Sequence, residues 1–360
     1  MPYHMSLFAD FPAVSKEEWL AKVAAELKGR DPADLAWPIN ESLQVSPFRH
    51  HSEQAAAPRT LTTDRATNSW AIGEYCTVTE AAAANRQILE GLMGGVTAPL
   101  LYISAPVDVA RLLDTINPAY VSLHFALAGS IDQLDFVTQL QGFLAEAENT
   151  SGTIHWANAP SADVYRRITE QLPHWRTLVI DGRNGYQQGD PVSELTMLVE
   201  EALAAMDRLQ DDGLTAAEIN AQLHFHLRVG TSYPVNIAKL RALNIVWANV
   251  LAAYGLPEAK LPPVIAHCTV SDGDVDQYTQ MIHAATQALT AALGGARRIY
   301  VEPADGGEGS SFTRRIARNV QHLLQLEAGV DRVVDPVAGS YYLEDLTDRI
   351  AQAVWDKIKQ

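Results

Sequence analysis

Eight short apolar runs, each followed by a longer amphipathic stretch, constrain the fold of this chain more than any other feature. The short runs are rich in valine, isoleucine, tyrosine and phenylalanine, as buried β-strands are. Parallel strands need helical crossovers outside the sheet, so the alternation predicts an α/β fold, a closed (β/α)8 TIM barrel. The alternative is an open doubly wound sheet, which usually has fewer strands. The predicted strands are 69–78, 99–105, 120–127, 152–158, 176–181, 222–229, 263–270 and 297–303.

The segments on either side of the predicted barrel form two further units. Residues 1–68 are predicted to be an N-terminal arm, in which the capping box of "SKEE" starts a helix over 15–28 and a Pro-rich extended segment follows. Residues 69–330 form the predicted barrel, and 331–360 form a turn and a C-terminal helix packed on it. The predicted crossover helices are 79–94, 107–115, 131–147, 161–172, 191–210, 233–254, 275–293 and 311–328.

Charge and cysteine content exclude several classes of function. A net charge of −16 argues against a general affinity for nucleic acid or for an anionic membrane surface. Only Cys76 and Cys268 occur, so no disulfide framework and no cysteine-rich metal site is expected. The first ten residues do not read as a secretion signal, and no apolar run reaches membrane length. These features predict a cytoplasmic protein that binds neither nucleic acid nor membrane.

Polar side chains at the carboxyl ends of the predicted strands form a candidate ligand-binding rim. In a (β/α)8 barrel the reactive groups lie at these ends and in the loops that follow. The candidate ligand-facing residues are Tyr75, Ser104, His124, Asp181, Asn184, Tyr186, Gln187, Arg228, His267 and Thr269.

Three patterns that can mark chemistry have simpler interpretations here. The "HFH" at 224–226 offers two imidazoles on one strand face, but no third ligand is placed by spacing, so an inward polar face is favoured over a metal site. Neighbours on a strand point to opposite faces, which argues against a catalytic pair of His267 and Cys268. Lys239 and Arg241 lie on a helix with an apolar stripe and are predicted to be solvated. No metal site is expected.

Several segments of the chain resemble a known family. They are "TSYPVNIAKLRALNIVWANV", "ALTAALGGARRIYVEPAD", "RRIARNVQHLLQLEAGV" and "VVDPVAGSYYLEDLTDRI", which occur in this order over the last third. Together they resemble the barrel domain of methylmalonyl-CoA mutase, and "SKEEWLAKVAAELKG" and "WPINESLQVSPF" are similar to the family's opening arm. The resemblance implies a (β/α)8 barrel whose bore takes the acyl-CoA chain and whose mouth is capped by cobalamin. It also implies an isomerase, which interconverts methylmalonyl-CoA and succinyl-CoA by a radical rearrangement.

The departures from the family lie at the predicted mouth. Catalytic chains carry a Tyr-His pair, then Gln and Gly, in the loop after the fifth strand, where this chain reads "RNGYQQG". Asn184 or Gly185 takes the position of that histidine, and neither can act as a general acid. The strand that carries Arg, Ser and Phe in catalytic chains reads Gln222, His224 and His226 here. The resemblance therefore implies that no catalytic residue is present.

These departures match the family's non-catalytic small subunit. That resemblance implies no cofactor bound by this chain alone, adenosylcobalamin in the holoenzyme, and a catalytic large subunit as heterodimer partner, or self-association. The family's Asp-x-His-x-x-Gly motif does not occur, so no cobalamin-binding domain is expected. The alternative is an acyl-CoA mutase chain for another acyl group, which receives cobalamin from a separate domain and binds a CoA thioester at its rim.

Overall fold

The computed structural model describes residues 14–40, 43–50, 53, 65–183, 185, 190–270 and 275–359. Its arm contains helix α1 (Lys16–Glu26) and a two-stranded antiparallel ladder of β1 (Trp37–Pro38) and β2 (Gln44–Val45). The predicted capping box is present, because the Ser15 hydroxyl accepts from the amide of Glu18 and the Glu18 carboxylate accepts from the amide of Ser15.

The remaining strand segments form one parallel sheet that is nearly closed. They are β3 (Ala71–Val78), β4 (Ala98–Ile103), β5 (Leu123–Leu127), β6 (Gly152–Trp156), β7 (Trp175–Arg176), β8 (Leu178–Asp181), β9 (Leu223–Val229), β10 (Val264–Cys268) and β11 (Arg298–Val301). Their order is β7-β6-β5-β4-β3-β11-β10-β9-β8. Only Thr177 separates β7 from β8, so these two segments are one interrupted strand of an eight-stranded barrel. The predicted TIM barrel is confirmed, and the doubly wound alternative is wrong.

Helices cover the outside of the sheet between successive strands. They are α2 (Ala81–Met93), α3 (Val109–Leu112), α4 (Gln133–Leu144), α5 (Ala162–Gln171), α6 (Pro191–Asp211), α7 (Ala216–Gln222), α8 (Tyr233–Ala253), α9 (Gln277–Leu293), α10 (Ser311–His322) and α11 (Tyr341–Ile358). The sequence did not indicate α7, which ends at Gln222 and so shortens the strand predicted over 222–229. None of the described helices is both long and apolar enough to cross a membrane.

Helix α8 is buried on nearly all sides, and its two cations are buried with it. The prediction of a solvated face for Lys239 and Arg241 is wrong, since these residues are 1% and 3% exposed. The Lys239 ammonium donates to both oxygens of Glu194 on α6, at 3.0 and 2.9 Å, and to the carbonyl of Arg228 at 2.8 Å. A buried charge is tolerated when it is paired and hydrogen-bonded, so this pair joins α8 to α6 and to the end of β9.

The second cation of α8 joins the C-terminal helix to the barrel. The Arg241 guanidinium forms ion pairs with Asp335, in the turn before α11, and with Glu344 in the first turn of α11, the latter at 3.0 Å. Arg49 of the arm then pairs with Asp345 on the same helix. Helix α11 therefore lies between the barrel and the arm. The predicted unit boundaries at 68 and 330 stay predictions.

Removing one partner of the pair between α8 and α6 should destabilise the fold strongly. The substitution Lys239→Met leaves the Glu194 carboxylate buried without its cation, which typically costs about 3–5 kcal/mol. The double variant Lys239→Met/Glu194→Leu should recover most of that loss. Guanidinium unfolding followed by tryptophan fluorescence measures the change. Lys22→Met, in the exposed pair with Glu26, is the matched control and should cost about 1 kcal/mol or less. Equal losses for the two lysine variants would contradict this account.

Candidate functional site

Aromatic and imidazole rings fill the middle of the barrel bore. Tyr300 stacks on Tyr75 and on His267, with ring centroids 5.1 Å apart in both pairs. The ring of His226 lies 4.9 Å from that of His267. These four side chains come from β3, β9, β10 and β11, whose alternate residues point inward. The bore at this level is occupied by side chains.

Two hydrogen bonds join Tyr75, His267 and His226 in a chain. The Tyr75 hydroxyl lies 2.8 Å from Nδ1 of His267, and Nε2 of His267 lies 2.9 Å from Nδ1 of His226. Each shared bond carries one proton, so the tautomer of His267 determines that of His226. The three rings therefore form one connected unit across the bore.

A glycine on the facing strand makes room for this packing. A Cβ atom at Gly73 would lie 2.4 Å from the Tyr300 ring, well inside van der Waals contact. Gly73 pairs with Tyr300 in the parallel ladder of β3 and β11. The absence of a side chain there lets the tyrosine ring extend into the bore.

Burial keeps the imidazoles of the bore neutral. It lowers the pKa of His226 and of His267 well below the ordinary value, and the charge of Arg183 lowers both further. Burial likewise raises the pKa of the Tyr75 hydroxyl. At neutral pH these groups carry no charge, so they pack as a hydrogen-bonded core.

An ion pair dominates the mouth of the barrel. Arg183 donates to both carboxylate oxygens of Asp181, from Nε at 2.8 Å and from Nη2 at 2.6 Å, and Nη1 donates to the Tyr102 hydroxyl at 2.8 Å. Burial acts to raise the pKa of Asp181, but the hydrogen bonds and charge of Arg183 lower it overall. The Asp181 carboxylate is thus ionised and already engaged.

Two cavities adjoin this ion pair. One of about 300 Å³ lies at the mouth and is bordered by Ser104, His155 and Arg183. The other, of about 500 Å³, lies in the barrel wall between β6 and β8 and is bordered by His155, Asp181 and Glu201. β6 pairs with β7 only through Gly152 and Thr153, so the ladder stops below this opening.

The structure places the predicted rim residues in different parts of the barrel. Tyr75, Asp181 and His267 are inward and engaged as described. Arg228 follows His226 by two residues on β9, nearer the mouth, and Ser104 is exposed at the mouth. The Thr269 hydroxyl is buried without a described partner. His124 was predicted at a carboxyl end, but it is the second residue of β5 and lies low in the bore, bonded to the Thr153 hydroxyl at 2.9 Å. Asn184, Tyr186 and Gln187 fall outside the described residues.

The sequence analysis missed several residues of the bore and mouth. Tyr102, His155 and Arg183 border the mouth cavity, and Tyr300 fills the bore. Period-two alternation within the strands could have indicated the inward position of Tyr102, His155 and Tyr300. The described residues contain no cluster of three or more His, Cys, Asp or Glu side chains suited to a metal ion.

Comparison of the sequence with known proteins points to one family. The family model for methylmalonyl-CoA mutase matches residues 139–360. The chain is 29% identical to the methylmalonyl-CoA mutase small subunit of Porphyromonas gingivalis, over 97% of this chain and 63% of that protein. It is 27% identical to the small subunit of Streptomyces virginiae, over 99% of this chain and 65% of that protein. It is 24% identical to the methylmalonyl-CoA mutase of Cereibacter sphaeroides, over 96% and 58%. The chain thus spans about three fifths of the length of these relatives.

The buried imidazoles should make stability depend on pH. An unfolded histidine binds a proton below a pKa of about 6.5, whereas the bore holds the histidine neutral, so the free energy of unfolding should fall as pH decreases from 6.5 to 5. His224→Gln removes one such group, whose pKa is lowered by burial, and should reduce this slope by up to about 1.4 kcal/mol per pH unit. Urea unfolding across this pH range measures the slope. The exposed His174→Gln variant should keep the wild-type slope, and a wild-type slope in His224→Gln would refute the prediction.

Proposed function

Because the chain belongs to the methylmalonyl-CoA mutase family, we propose that it is a small-subunit-like, non-catalytic barrel that pairs with a catalytic large subunit. In this proposal its role is to stabilise the large subunit in a cytoplasmic heterodimer. The named small subunits among its relatives support the pairing, and the contents of the bore support the lack of catalysis.

The filled bore is the observation that carries this proposal. The family resemblance implies a bore through which the acyl-CoA chain passes. Here the hydrogen-bonded unit of Tyr75, His267 and His226, with Tyr300 stacked on it, lies across that path. Opening it would break two buried hydrogen bonds and leave their polar groups unsatisfied, which costs about 1–3 kcal/mol for each group. An acyl-CoA chain would have to supply that free energy before it could bind.

Among the described residues of the mouth and upper bore, the main charged and polar groups are already engaged with one another. Asp181 is held as a carboxylate by Arg183, and His267 is buried and bonded through both ring nitrogens. Gly185, one of the two candidates for the family's histidine position, carries no side chain, and Asn184 falls outside the described residues. A radical rearrangement needs groups that hold and steer the acyl group, and the described mouth has already paired its charged groups with one another.

In this proposal adenosylcobalamin is not a cofactor of this chain alone. Imidazole is a good ligand for a transition metal, but His226 and His267 lie inside the bore, where they are almost fully buried and out of reach of a cofactor at the mouth; the partly exposed His155 borders the mouth cavity. In the proposed heterodimer the large subunit binds this cofactor.

The mouth cavity favours a second candidate function. It holds the Arg183 guanidinium, the Ser104 hydroxyl and the His155 imidazole, groups that could hold a short acyl thioester without occupation of the bore. The chain would then be an acyl-CoA mutase for another acyl group, which works with a separate cobalamin-binding domain.

Activity measurements with and without the large subunit test the first candidate. The isolated chain, supplied with adenosylcobalamin, should not isomerise methylmalonyl-CoA, and the co-purified complex should. Arg183→Met in this chain removes the central cation of the mouth and should leave kcat of the complex unchanged within twofold. Turnover by the isolated chain, or a tenfold loss of kcat in the Arg183→Met complex, would contradict the proposal.

Calorimetry of the isolated chain tests the second candidate. Titration with methylmalonyl-CoA and with several other acyl-CoA thioesters should give no binding heat if the first candidate holds. Heat of binding that disappears in Arg183→Met but persists in Arg315→Gln, which removes an exposed arginine on α10, would favour the acyl-CoA mutase instead.

A further inference from the structure

Buried polar atoms without hydrogen-bond partners gather in the lower bore, the end formed by the amino termini of the strands. In native proteins almost every buried polar group is bonded to protein, water or an ion, so each exception needs an explanation. In the part of the chain that the structure describes, the lower bore has no partner in good hydrogen-bond geometry for His124 Nε2, His224 Nδ1 and Nε2, Arg298 Nε and Nη1, and the Tyr300 hydroxyl oxygen. The Arg298 guanidinium faces the Tyr300 hydroxyl and the His224 ring faces the Gln222 backbone, but neither contact has that geometry.

These atoms belong to one neighbourhood. Arg298 is the first residue of β11, and His124 and His224 are each the second residue of their strands. Arg298 and Tyr300 are two residues apart on one inward face of β11. Burial, followed by the charge of Arg298, lowers the pKa of both His124 and His224, which places the guanidinium close to both rings.

The lower bore carries positive charge and no negative charge among the described residues. No described carboxylate forms an ion pair with Arg298. Arg176 adds a second guanidinium at this end, where it donates to the carbonyls of Ala221 and Leu223. The Asp181 carboxylate stands at the carboxyl end of β8, the opposite end of the bore, and is held by Arg183. A cation that is largely withdrawn from water and has no counterion is costly, so the region favours an anionic ligand.

We propose that the lower bore binds one small anion, a halide or a short carboxylate such as formate. The Arg298 guanidinium supplies the charge, and His124, His224 and the Tyr300 hydroxyl supply neutral donors. The Arg298 guanidinium, whose Nε and Nη1 lack a partner in good geometry, matches an anion better than a water molecule, because it offers several donors and a full charge. Its position at the strand ends and the partial exposure of Arg298 give the anion a route from solvent.

The packing of the layer above the lower bore limits the size of the anion. The Tyr300 ring approaches the backbone of Gly73 and stacks on His267, so the bore is closed one layer higher. A CoA thioester cannot extend past this layer. The site is therefore distinct from the acyl-CoA path discussed above and does not depend on the function proposed for the chain.

Anion-dependent stability tests the site. Sodium bromide should raise the melting temperature of the isolated chain relative to sodium gluconate at the same ionic strength, because a halide enters the bore and gluconate does not. A ligand that binds only the folded state should add roughly 2 °C for each tenfold rise in concentration above its Kd for a chain of this size. Sodium formate should act as bromide does.

Substitutions test whether the rise in melting temperature in bromide comes from the lower bore. Arg298→Gln should abolish the bromide increment, and Tyr300→Phe, which keeps the ring that fills the bore, should weaken the apparent affinity severalfold. Arg315→Gln removes one exposed positive charge and should retain the full increment. If Arg298→Gln does not fold, Tyr300→Phe and the wild-type crystal described next decide the question.

Anomalous diffraction from a bromide-soaked crystal gives the position. The expected result is one bromide peak within contact of Arg298 and His224. Bromide peaks confined to the outer surface, equal melting temperatures in bromide and gluconate, or a full bromide increment in Arg298→Gln would each overturn the proposal.

Discussion

The requirement that a closed eight-stranded barrel fill its own interior governs this structure. Eight tilted strands enclose a space just wide enough for inward side chains, and their chemistry decides whether a ligand can enter. In this chain the middle layer is supplied by Tyr75, His226, His267 and Tyr300, which stack and hydrogen-bond to one another. Gly73 provides the space that the largest of these rings needs. At this layer the bore is a polar aromatic core, and two cavities lie at its mouth and in its wall.

Local sequence patterns were sufficient to predict the barrel and insufficient to predict its contents. The eight strand positions followed from apolar runs and crossovers, and alternation placed His224 and His226 inside and separated His267 from Cys268. The pairing partners of Arg241 could not be predicted, because Asp335 and Glu344 lie 94 and 103 residues further along the chain. The burial of Lys239 depends on Glu194 of another helix in the same way. The sequence analysis also did not predict helix α7 or the interruption of the strand at Thr177, since both are short and depend on tertiary packing.

The candidate site shows the same division. Tyr75, Asp181 and His267 were selected because they stand near strand ends, and the structure brings them into the bore or mouth. His124 was selected on the same basis but lies at the opposite end, because β5 begins later than predicted. The ion pair that holds Asp181 comes from Arg183, two residues away, and its geometry depends on Tyr102 from another strand. The position of a residue along a strand can be predicted from the sequence. Which side chains bond to each other can be determined only from the three-dimensional structure.

Family membership and a closed bore are compatible if the barrel acts as a scaffold for a catalytic partner. The positions that join helices to one another, such as Lys239, Arg241 and Glu344, serve the fold whether or not a substrate passes through it. The most direct measurement is an electron cryo-microscopy structure of the complex with the large subunit and a CoA thioester. The account predicts thioester density only in the partner's barrel, with Tyr75, His267 and His226 still hydrogen-bonded in this chain. Thioester density along the bore of this chain, with Tyr300 displaced, would contradict it.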